Sequence, residues 1–137
     1  MKTLVLTVSL LISTLGFAQD KTANTITVTI ENFTSNDGKA ILALHTSESF
    51  MKGPGIQNLS ANIVDGKATF TFENVPSGEY ALLALHDKND NKRMDYEANG
   101  MPKESYGLSN NPRSYGPPIY DDAKFQVQKD TSLTIRL

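Results

Sequence analysis

Apolar and polar residues alternate strictly along Thr25-Ile-Thr-Val-Thr-Ile-Glu31, which puts Ile26, Val28 and Ile30 on one face. A period of two marks a half-buried strand, and β-branched side chains favour that state. Residues 40–45 form the next apolar run, unbroken on both faces, and so predict a central strand. Asn36-Asp37-Gly38-Lys39 lies between them as a turn, since Asp-Gly suits backbone at positive φ. Residues 47–52 predict one helical turn, with Ser47 as N-cap and Gly53 at its end. Residues 62–64 and 68–72 flank Asp65-Gly66 and predict a hairpin, with Phe70 and Phe72 inward and Thr69 and Thr71 outward. A turn over 75–79 leads to a strong strand over 80–86, and 124–127 and 133–137 supply two more. Seven short strands separated by turn signals predict an all-β fold, a single antiparallel β-sandwich. No long amphipathic helix is predicted.

The stretch 99–120 breaks this rhythm. It carries Gly100, Pro102, Gly107, Pro112, Gly116, Pro117 and Pro118, with Tyr106, Tyr115 and Tyr120 among them. Loops of this length inside a compact domain are usually functional or disordered, and aromatic residues favour an ordered, packed one. The three tyrosines are candidates for a binding loop that stacks on a sugar or peptide; packing onto the sandwich is the competing role.

The N-terminus places the rest. Lys2, an apolar run over 4–15 and Gly16-Phe17-Ala18 read as a signal peptide over 1–18, cut after Ala18. The run falls short of the roughly 20 apolar residues of a membrane span. Residues 19–24 are a polar, flexible lead, and 25–137 one β-sandwich domain. With no cysteine, the chain has neither a disulfide nor a lipid-carrying Cys after the signal. The expected protein is soluble, periplasmic or secreted, and not a lipoprotein, with no stable membrane insertion once the signal is removed. A net charge of −2, more acidic still without Lys2, argues against nucleic acid as a partner. The expected partner is an envelope or extracellular ligand.

The main candidate chemistry follows the strand over 80–86. Asp87, Asn89, Asn91 and Asp95 occupy positions 1, 3, 5 and 9 of a loop, the spacing with which side-chain oxygens wrap Ca²⁺. The loop departs from an EF-hand: Lys92 stands at the glycine position, Ala98 at that of the bidentate Glu, and a strand precedes it. Glu97 lies one place early. Four acids (Asp87, Asp90, Asp95, Glu97) against three bases (Lys88, Lys92, Arg93) predict weak affinity for any ion. In the competing account, Asx side chains bond their own backbone. His45 and His86 each end an apolar strand; on neighbouring strands they would suit a Zn²⁺ or Cu²⁺ carrier. No Cys and no Gly-x-Ser-x-Gly elbow supports nucleophilic catalysis. A non-enzymatic binding module is the leading expectation. An envelope hydrolase or carbohydrate-acting enzyme is the alternative, and the Zn²⁺ or Cu²⁺ carrier a second one.

Four blocks carry a family resemblance: Phe72-Glu-Asn-Val-Pro-Ser-Gly-Glu-Tyr-Ala81; His86-Asp87-Lys-Asn89-Asp-Asn91-Lys-Arg-Met-Asp95; Gly100-Met-Pro102-Lys-Glu104-Ser-Tyr-Gly107-Leu-Ser109-Asn-Asn111; and Gly116-Pro-Pro-Ile-Tyr-Asp-Asp-Ala123. Together they resemble the bacterial secreted proteins of the "domain of unknown function 2141" family, over about residues 26–137. The resemblance implies a small β-sandwich outside the cytoplasm and no particular activity or substrate. The first block also looks like prealbumin-like and collagen-adhesin B-type domains, which are surface or binding modules. The family loop usually reads His-Asp-x-Asn-x-Asn-Gly-x-x-Asp; here Lys92 replaces the glycine.

Overall fold

The structure, a computed structural model, describes residues 23–113 and 115–137. The signal-peptide reading over 1–18 falls outside them.

Two sheets face each other. The first has the order β4 (Ala68–Pro76), β1 (Ala23–Glu31), β8 (Thr131–Arg136). The second has the order β3 (Gln57–Ala61), β2 (Lys39–His45), β5 (Gly78–Asp87), β6 (Tyr106–Leu108), with β7 (Phe125–Val127) also on β5. A four-residue helix, α1 (Tyr120–Ala123), precedes β7. The alternation of β1 works as expected: Ile26, Val28 and Ile30 are buried, and Phe70, Phe72 and Ile135 join them from β4 and β8. Leu42, Leu44, Leu82 and Ala84 meet them from the second sheet to complete the core.

Among the described strands all pairings are antiparallel except one: β8 runs parallel to β1, from Ile26↔Thr131 to Glu31↔Arg136. The chain leaves β7 in the second sheet and crosses to the first, so it arrives beside β1 in the same direction. β1 begins at Ala23, within the expected flexible lead. The Asn24 side chain explains this, since its Nδ2 donates to Val75 O and Ser77 Oγ, both at 3.2 Å.

Two turn signals join different sheets instead of closing hairpins. Gly38 takes φ +70, but β1 and β2 lie in opposite sheets. A Cβ on Gly38 would collide with the carbonyl oxygen of Asp87, so glycine lets this turn lie against the start of the 87–95 loop. Asp65 and Gly66 form a tight turn closed by Val64 N–H to Lys67 O (2.9 Å) and the reverse bond (3.0 Å). The expected strand over 62–64 is only that bridge. Ile63 is buried there, and the chain passes from the second sheet to the first. The strand lies earlier, at β3, paired with β2. The helical turn near 47–52 forms with Thr46 as its cap in place of Ser47, because Thr46 O accepts from Phe50 N–H at 3.0 Å. The Val75-Pro-Ser-Gly-Glu-Tyr80 block is another sheet-to-sheet corner. Tyr80 OH donates back to Pro76 O at 2.8 Å, as in a tyrosine corner.

Candidate functional site

β5 delivers Asp87 to the edge of the second sheet and the 87–95 loop turns back on it. Asp87 is fully buried. Its Oδ1 accepts from Asn91 N–H (3.1 Å) and its Oδ2 from Lys92 N–H (2.8 Å). Asn89 Oδ1 accepts from Asn91 N–H (3.3 Å), and Asn91 Oδ1 from Arg93 N–H (3.1 Å). These are Asx turns in series. Lys92 takes φ +64, the left-handed region that favours glycine.

The four expected residues do converge. Asn89 Nδ2 donates to Asp95 Oδ2 (2.7 Å), and Asn91 Nδ2 to both Asp95 oxygens (2.9 Å each). Those amide donors from Asn89 and Asn91 hold the Asp95 carboxyl below the ordinary carboxylate range, with Arg93 and Lys103 adding to the effect.

A fifth residue completes the loop. Glu104 is buried; its Oε1 accepts from Lys88 N–H (3.0 Å) and its Oε2 from Asp95 N–H (3.3 Å). It stands where Glu97 was the nearest sequence candidate, while Glu97 is exposed. A carboxylate sixteen residues along the chain from Lys88 gives no periodic signal. Its only trace is its place in the Gly100-Met-Pro-Lys-Glu104 block. Among the described residues, no three His, Cys, Asp or Glu side chains gather around one point suited to a metal. The amide oxygens of Asn89 and Asn91 would have to complete any donor set.

The histidines sit on neighbouring strands, yet not together. β2 and β5 pair with Ala40↔His86 and His45↔Ala81, so the two rings are five register positions apart. That spacing is roughly 17 Å and places them on opposite faces. His45 is buried, and its Nδ1 donates to Ser49 O at 3.1 Å. Burial lowers its pKa from the ordinary value of 6.5, and the Ser49 carbonyl partly offsets this. His86 is also buried; its Nε2 donates to Asp37 O at 2.9 Å, and its Nδ1 has no partner among the described residues. The pair is not positioned to share one Zn²⁺ or Cu²⁺.

The stretch 99–120 contributes elements of its own. β6 within it pairs with β5 over Leu83↔Leu108 to Leu85↔Tyr106. Gly107 makes this possible, since a Cβ there would lie 2.8 Å from Arg136 O and from Ile135 Cγ2 of β8. Ser109, Asn110 and Asn111 then fasten three elements. Ser109 Oγ accepts from Leu82 N–H (2.9 Å) and donates to Ala123 O. Asn110 Nδ2 donates to Lys124 O (2.8 Å) and Asp122 O (3.2 Å). Asn111 donates to Thr134 O (2.9 Å) and accepts from Arg136 N–H (2.8 Å), imitating a neighbouring strand along β8. Asn110 and Asn111 adopt φ +68 and +47, which Asn tolerates better than most residues.

The tyrosines divide. Tyr120 packs edge-on to Phe50, with ring centroids 5.6 Å apart, in a small outer core with Ala81, Leu108 and Ala123. Tyr106 is half-buried and Tyr115 fully exposed. These two line a groove of about 710 Å³ on the outer face of the second sheet.

No helix among the described residues is long and apolar enough to cross a membrane. Neither the curated proteins nor the solved structures contain a match to the chain. Residues 28–135 match the family model described as "Uncharacterized protein conserved in bacteria (DUF2141)". That match spans most of the sequence, and the chain belongs to this family.

Proposed function

We propose that this protein is a non-enzymatic binding module of the bacterial envelope, secreted by its N-terminal signal, whose 87–95 loop takes up Ca²⁺ weakly. One observation carries the cation reading. Asp87 and Glu104 are buried carboxylates, and among the described residues no cationic side chain pairs with either. The hydrogen-bond donors that face them among the described residues are backbone N–H groups. Buried anions are normally paired or coordinate a metal. Asp87, Asn89, Asn91, Asp95 and Glu104 would hold the ion through oxygen, the donor type a hard cation takes. Rotation of the Asn89 and Asn91 amides would turn their oxygens towards it. Against an enzymatic role, Ser109 Oγ is enclosed between Leu82 and Ala123, and both histidines are buried apart from each other.

The expected affinity lies in the extracellular range of about 10⁻⁴–10⁻³ M, given the small net charge of the loop. Calcium at ten times Kd would then stabilise the fold by about 1.4 kcal/mol through mass action. Thermal melts with calcium and with chelator test this. The shift should vanish in Asp87→Asn, Asp95→Ala and Glu104→Gln, survive in Asp90→Ala, and grow in Lys92→Gly. An unshifted wild type, or loss of the shift in Asp90→Ala, refutes the cation assignment and leaves a self-bonded Asx loop. Secretion has its own check: the protein recovered from the envelope or medium should begin at Gln19.

A further inference from the structure

The groove on the outer face of the second sheet has a lining unlike that of a solvated surface. β5 is expected to alternate, and its inner residues Leu82 and Ala84 are core. Its outward residues Leu83 and Leu85 are also apolar, half-buried, and form the floor of the groove. Side chains from separate segments stand around them: Met51 from the turn after β2, and Met94, Tyr96 and Met101 from the 88–105 region. Tyr106, Tyr115 and the Pro117-Pro118 pair close the far side. Met51, Tyr96, Met101 and Tyr115 are each more than half exposed. Four exposed large apolar side chains gathered at one concavity mark a binding site more than chance surface composition does.

Charge selects the occupant. Every described residue lining the groove is Met, Leu, Ala, Tyr, Gly or Pro, so none brings a formal charge to meet an ionic ligand. A fatty acid, a phosphate ester or a charged peptide would be desolvated there without a partner. The volume of about 710 Å³ falls within the roughly 300–1,000 Å³ of pockets that enclose one small molecule. Methionines give the wall unbranched, adjustable side chains, as at surfaces that accept several apolar shapes. The phenol groups of Tyr96, Tyr106 and Tyr115 and exposed backbone supply the polar contacts. We infer that this groove binds an uncharged, largely apolar small molecule, one per chain. The inference goes beyond the cation reading and does not depend on it.

The test uses the neutral dye N-phenyl-1-naphthylamine with the chain from Gln19, since every described element lies within Ala23–Arg136. Fluorescence should rise saturably to one dye per chain, and an uncharged long-chain alcohol should displace it. Leu85→Lys on the floor should weaken binding at least tenfold. Met101→Lys, at an exposed position that cannot disturb the core, should weaken it several-fold. Val64→Lys, equally exposed on the far Asp65 turn, should bind as wild type. Sedimentation of wild type and Met101→Lys accompanies the titration. Non-saturable binding, equal weakening by Val64→Lys, or unchanged binding in Met101→Lys overturns the inference. So does a wild-type dimer that Met101→Lys makes monomeric, which would assign the groove to a second copy of this chain.

Discussion

Ser109 completes a sheet edge that no strand covers, and its removal has a calculable cost. One edge of β5 is paired by β7 over Gly78–Tyr80 and by β6 over Leu83–Leu85. Between those segments, Leu82 would present a bare N–H. The Ser109 hydroxyl accepts it at 2.9 Å, Ser109 N–H donates to Leu82 O at 3.1 Å, and the hydroxyl proton goes to Ala123 O. Ser109 is 1% exposed, so water cannot replace the hydroxyl without opening the structure. Ser109→Ala orphans one buried donor and one buried acceptor. At about 1–3 kcal/mol for each unsatisfied group, the expected loss is about 2–6 kcal/mol. Asn111→Gly provides the contrast. It also removes two hydrogen bonds, but on an exposed residue whose partners water can reach, and glycine keeps the positive φ. Its expected cost is about 0.5–1.5 kcal/mol. Urea unfolding of both variants, followed by circular dichroism, measures the two losses, with Tm falling roughly 4 °C per kcal/mol as a cross-check. A loss below about 1 kcal/mol for Ser109→Ala, or equal losses, would show that the hydroxyl does not bridge the gap.

Two further outcomes are expected. Phe72→Ala should cost about 3–5 kcal/mol, because the ring is wholly buried between the sheets, whereas Thr71→Ala on the outward face should cost under about 0.5 kcal/mol; comparable losses in urea unfolding would contradict the assigned strand face. His45 sets a pH dependence: its pKa is lowered in the fold, so as pH falls below 6.5 the unfolded chain takes up the proton first. That part of the stability is complete above 6.5 and declines as pH falls towards the lowered folded value. Tm should fall between pH 7 and 5.5, and fall less in His45→Gln; identical slopes would exclude His45 as the source.

Sequence patterning located the strands whose two faces differ in chemistry. β1, β4 and β8 were legible because their apolar positions alternate against threonines or charges. β3 was not, because Gln57-Asn-Leu-Ser-Ala61 is an edge strand with Leu59 as its one large apolar residue. Three-residue β6 is too short for any period, and Gly107 reads as a breaker where it in fact permits β6 to lie close over β8. Asp-Gly at 37–38 and 65–66 announced turns correctly, but a turn does not specify whether the chain returns to its own sheet. The 87–95 loop was legible through its spacing. Glu104 was not, because its burial depends on a fold-wide arrangement with no local signature.

The parallel pairing of β8 with β1 governs when this chain can fold. The first strand occupies the middle of its sheet, and one of its two neighbours is the last of the described strands. Until residue 136 is available, Ile26, Val28 and Ile30 have β4 on one side and an open ladder on the other. The sandwich therefore lacks a stable N-terminal half, and its defining contact spans nearly the whole chain, a topology that slows folding. Late closure acts as a timer, because the ladder on that side of β1 stays open until β8 takes its place.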